Sequence, residues 1–94
     1  MITSFSNNQP SFELEIITPR KTSAYLIFMI EVETITGSFT VAENHAPLMS
    51  SLKKKGIATF QTNVGNIHTI HIENGGLFKI ANNKAQLILH QLQV

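Results

Sequence analysis

The chain has 94 residues, a net charge of +1 with histidines neutral, 14% charged residues and no cysteine. A chain this short holds one hydrophobic core, which removes roughly 60–65% of the unfolded surface from water. The near-neutral balance excludes a general nucleic-acid binder, which needs a basic surface to neutralise phosphates, and the absence of thiols excludes disulfides and thiolate metal sites.

Residues 1–11 are polar, with Asn7, Asn8 and Pro10, and read as a flexible leader before a single domain over residues 12–94. No basic run followed by an apolar segment marks a signal peptide, and no apolar stretch approaches the roughly 20 residues that span a bilayer. Phe12-Glu13-Leu14-Glu15-Ile16 alternates apolar and charged, as in a strand with one buried face, and Pro19 ends it. Tyr25-Leu26-Ile27-Phe28-Met29-Ile30 is six apolar residues in a row, continued by Glu31-Val32-Glu33. Its β-branched and aromatic content favours a strand over a helix. A strand this apolar needs cover on its second face, from the leader, a bend between sheets or a partner protein.

Gly37 opens the next strand, with Phe39 and Val41 on one face. Pro47 lacks a backbone donor and biases Ala46 toward an extended conformation, so the strand ends by Ala46 and leaves His45 near a corner. Leu48-Met49-Ser50-Ser51-Leu52 reads as at most one short turn. Residues 57–62 form a strand, Asn63-Val64-Gly65-Asn66 a turn, and residues 67–72 a strand with His68, Ile70 and Ile72 on one face. A turn at Asn74-Gly75-Gly76, a short strand at 77–80, a hairpin turn at 81–84 and a last strand at 85–90 complete the pattern. Turn signals every 8–12 residues predict an all-β protein, a sandwich or barrel.

No constellation for catalysis stands out. His68 and His71 are three apart on a strand and face opposite sides, which argues against a metal site. Glu31 and Glu33 share a face without a nucleophile at a motif spacing, and read as a solvated strand face. Lys53-Lys54-Lys55 beside Gly56 is an exposed turn that could steer an acidic partner, and Gly75-Gly76 is a turn device. The aromatics, six Phe and one Tyr, are spread singly along the strands and give no platform for a glycan or small ligand. His45 suits either of two roles: a corner histidine capping a backbone carbonyl, or a contact with another protein.

Residues 37–48, Gly-Ser-Phe-Thr-Val-Ala-Glu-Asn-His-Ala-Pro-Leu, resemble the epsilon subunit of F-type ATP synthases in its N-terminal β-sandwich domain. The turn Leu52-Lys53-Lys54-Lys55-Gly56, the upstream Leu14-Glu15-Ile16-Ile17-Thr18-Pro19 and the downstream Glu73-Asn74-Gly75-Gly76-Leu77 follow the family's order, so the resemblance covers residues 12–89. It implies a two-sheet antiparallel β-sandwich that performs no chemistry and needs no cofactor. It also implies a central-stalk role: binding the gamma subunit, resting on the polar loops of the c-ring, and coupling rotation with ATP synthesis at the cytoplasmic face of a bacterial inner membrane. Carried over by position, the gamma-subunit interface comprises His45, Ala46, Pro47, Leu48 and Phe28. The c-ring interface comprises Thr36, Gly37 and Ser38, within the loop that begins at Thr34.

The chain departs from the family pattern in two places: that loop is short and lacks acidic residues, and Leu26-Ile27-Phe28 replaces the Ser-Gly-Glu expected after Tyr25. Most members continue into a helical pair that can inhibit ATP hydrolysis and in some of them bind ATP. This sequence stops at Val94, so the expectation is coupling without helical inhibition and without ATP binding. The alternative is a free-standing sandwich that binds a small ligand or glycan.

Overall fold

A computed structural model of the protein describes residues 11–90, so all but the last residue of the expected leader falls outside the described residues. These form eight strands and no helix: β1 Phe12–Ile17, β2 Thr22–Thr34, β3 Gly37–Ala42, β4 Leu48–Leu52, β5 Gly56–Thr62, β6 Ile67–Ile72, β7 Gly76–Ala81 and β8 Lys84–Leu89.

The strands run β1-β8-β7-β4-β2-β5-β6, with β3 beside β2 and β1 also paired to β2. The thirteen-residue β2 belongs to both layers of the sandwich. Its first half pairs with β1, and its second half lies between β3 and β5. One layer is therefore β3-β2-β5-β6 and the other β1-β8-β7-β4. All pairings are antiparallel except β1 with β8, which is parallel.

Alternation places Phe12 and Leu14 of β1, Ala58 and Phe60 of β5, Phe78 and Ile80 of β7, and Ala85, Leu87 and Leu89 of β8 in one continuous core. The apolar run in β2 keeps its place there through a bulge. Ile27 pairs with Thr62 and Met29 with Gln61, so Phe28 is an extra residue without a partner on β5. A bulge reverses the parity of the residues that follow it. Ile27 and Ile30, three apart, are consequently both fully buried, and Val32 and Thr34 continue the inward set. The bend between layers thus gives this run part of its cover, yet Leu26 remains 51% exposed.

The expected turn at Leu48–Leu52 is a strand instead, pairing all five residues with β7. Pro47 needs no ladder donor at the strand's entry, Leu52 turns into the core, and Met49 and Ser51 face outward. Pairing with a neighbour overrides the weak strand propensity of two serines. At the β4–β7 end, Gly76 lies at φ 155° against β8, where a Cβ would run into the Ile88 carbonyl oxygen. Asn82 and Asn83 both adopt positive φ, 53° and 58°, as a two-residue hairpin turn requires.

Candidate functional site

β3 carries a candidate contact at each of its ends. Past Ala42 the chain turns over residues 43–47, and the His45 N–H donates to the Ala42 carbonyl at 3.3 Å. Asn44 enters the left-handed region at φ 66°. Its N–H donates to Asn83 Oδ1 at 2.6 Å, and Asn83 Nδ2 donates to Asn44 Oδ1 at 3.0 Å. This reciprocal pair ties the corner to the β7–β8 hairpin, thirty-nine residues away.

On this support the His45 ring is half-buried, with Nδ1 2.6 Å from the Ala46 carbonyl oxygen. A carbonyl only accepts, so Nδ1 carries the proton, and in the neutral ring Nε2 is left as an acceptor. The carbonyl-capping role expected of a corner histidine is therefore present. Ala46 and Pro47 are exposed, while Leu48 packs against the core. Met29 pairs with Ala42, so the bulge sets half-buried Phe28 at the same end of β3 as the corner. The five residues His45, Ala46, Pro47, Leu48 and Phe28 accordingly gather at one end.

Thr36, Gly37 and Ser38, all exposed, lie at the other end. β3, six residues and roughly 20 Å long, runs from one group to the other. Buried Thr34 fixes the turn there, its Oγ1 donating to the Gly37 carbonyl at 2.6 Å and accepting the Thr36 N–H at 3.3 Å. The Ile35 N–H donates to Ser51 O and the Lys53 N–H to Glu33 O, which brings the exposed lysine turn, residues 53–55, to the same end. Glu33 is more than a solvated carboxylate: its Oε1 accepts the Ile57 N–H at 2.9 Å.

Nothing in the sequence pattern pointed to an aromatic group on the layer that β3 shares, because its members come from three strands, β2, β5 and β6. Tyr25 lies 5.0 Å from Phe60, His68 stacks on Phe60 at 5.0 Å and 18°, and Tyr25 and His68 are 6.0 Å apart. As expected, His68, Ile70 and Ile72 share a face, but that face reaches an open cleft before it reaches the core. Among the described residues no three His, Cys, Asp or Glu side chains come together to hold a metal ion.

The arrangement defines a β-sandwich with no helix among the described residues. The family model described as ATP synthase, Delta/Epsilon chain, beta-sandwich domain, matches residues 11–92. This chain belongs to that family. It is 30% identical over 92 residues to the ATP synthase epsilon chain of Chlorobaculum tepidum, covering 93% of this chain and 98% of that one. Its fold is similar to a chain in a cryo-EM structure of the Tetrahymena thermophila mitochondrial ATP synthase, central stalk and c-ring. The TM-score is 0.69 at 15% identity, over 84% of this chain. This chain spans 63% of the length of that structural relative.

Proposed function

We propose that this chain is a non-catalytic central-stalk subunit of a proton-translocating F-type ATP synthase, binding the gamma subunit at one end and the c-ring polar loops at the other. It works as a rigid coupler between the two and turns with them. The observation that carries this reading is β3 itself: one paired strand links the His45 corner to the Thr36–Gly37–Ser38 end. A close-packed β core resists shear, so torque taken up at one end reaches the other without loss of register. In this reading the subunit lies peripherally at the cytoplasmic face of the bacterial inner membrane, held there by its neighbours. The described residues hold no helix long and apolar enough to cross a membrane.

Calorimetry against the gamma subunit of the same organism tests the proposal. Tight binding is expected, weakened by His45→Ala and by Phe28→Lys, since interface anchors often cost about 2 kcal/mol or more when truncated. Absence of binding at tens of micromolar would refute it. The chain is expected not to bind ATP, and a micromolar affinity for ATP would refute that part.

A further inference from the structure

The cleft between β6 and the β1–β2 hairpin is lined by none of the residues at either end of β3. Its volume is about 310 Å³. That is at the small end of ligand cavities, which run roughly 300–1,000 Å³. Ile16, Ile70 and Leu89 make an apolar floor. Phe60 is fully buried beneath, and the partly exposed Tyr25 and His68 rings stand over it. The rim is polar. Thr18 Oγ1 and Lys21 exchange two hydrogen bonds, of 3.1 and 3.2 Å, that hold the β1–β2 turn in shape.

Lys21 is the sole Lys, Arg, Asp or Glu in the lining, and among the described residues no ion pair engages its ammonium. Ring faces with one free cation beside them select a ligand with matching parts. Aromatic pairing favours a flat ring, and the ammonium favours one anionic group. A triphosphate has more charge than a single ammonium matches, and no charged side chain lies among the apolar floor residues. We propose that this cleft binds a small planar aromatic anion, its ring against Tyr25 and His68 and its charge on Lys21.

The test is an amide NMR titration of the full chain with naphthalene-2-carboxylate, with naphthalene and with ATP in parallel. The expected result is a saturable shift with the carboxylate, confined to residues 16–25, Phe60 and 68–70. Lys21→Ala, at an exposed position, is expected to weaken the carboxylate about two- to fivefold and to leave naphthalene unchanged. Added salt is expected to weaken binding of the carboxylate and to leave naphthalene unchanged. Shifts that fail to saturate, or that spread to exposed Ile35, Met49 and Val64, would overturn the site. Equal binding of naphthalene and its carboxylate, or tighter binding of ATP, would overturn the ligand class.

Discussion

Asn44 and Asn83 each hold φ near 60°, and each hydrogen-bonds the other. Two substitutions at Asn83 separate the bonds from the backbone. Asn83→Gly loses the bonds but tolerates the conformation; Asn83→Ala loses both. The glycine variant is expected to cost about 1 kcal/mol and the alanine variant about 2 kcal/mol in urea denaturation. Equal values for the two would mean that the left-handed turn contributes nothing. The pair could not be read in the sequence. An Asn-Asn hairpin turn was legible, but its bond to the corner depends on which strand ends meet. The His45 corner itself was legible because proline dictates it locally.

Glu15 gives a residue-scale test in pH. A hydrogen bond from Gln86 Nε2 at 2.8 Å, and secondarily Lys84 with its ammonium at 3.4 Å, hold the Glu15 carboxyl below its ordinary value. A carboxyl with a depressed folded-state pKa stabilises the fold above its unfolded-state pKa. That contribution is complete at neutral pH and is lost as pH falls below about 4.3 toward the folded-state value. The stability difference between the native chain and Glu15→Gln should therefore shrink between about pH 5 and pH 3. Parallel pH profiles for the two would exclude the effect.

At the scale of the element, β2 shows where reading by alternation succeeds and where it stops. Its strand character was legible from Tyr25–Ile30, and so was the need to cover two faces. The bulge was not, because a single extra residue leaves no mark on an unbroken apolar run. Deleting Phe28 tests its role. Ile27 and Ile30 would then stand two apart, so plain alternation would still turn Ile30, Val32 and Thr34 inward. A cooperative unfolding transition is expected to survive the deletion. Its loss would show that the bend made by the bulge, and not parity alone, is needed to carry β2 between the layers. β4 failed for the opposite reason: two serines weaken a five-residue alternation, and only the partner β7 makes it a strand. The aromatic group over the cleft was hidden in the same way, since Tyr25, Phe60 and His68 are isolated in sequence and converge only when β2, β5 and β6 are placed.

For the whole molecule, the all-β class followed from turn spacing, and the layer order required the pairings. Of these, β1 with β8 joins the first and last strands in parallel, with Glu13 to Ile17 alongside Lys84 to Ile88. The ends of the described chain therefore leave this pair in opposite directions, residue 11 before β1 and residue 90 after β8. Tension between those two points pulls the strands lengthwise past each other, so the bonds between them share the load and must fail together. Handles at residues 76 and 89, a facing pair at one end of the antiparallel β7–β8 hairpin, would instead open its bonds one after another. Single-molecule pulling is expected to give a clearly higher rupture force from 11 and 90 than from 76 and 89, and equal forces would contradict it. Mechanically, the two ends of this fold work as a clasp that tightens along its own length.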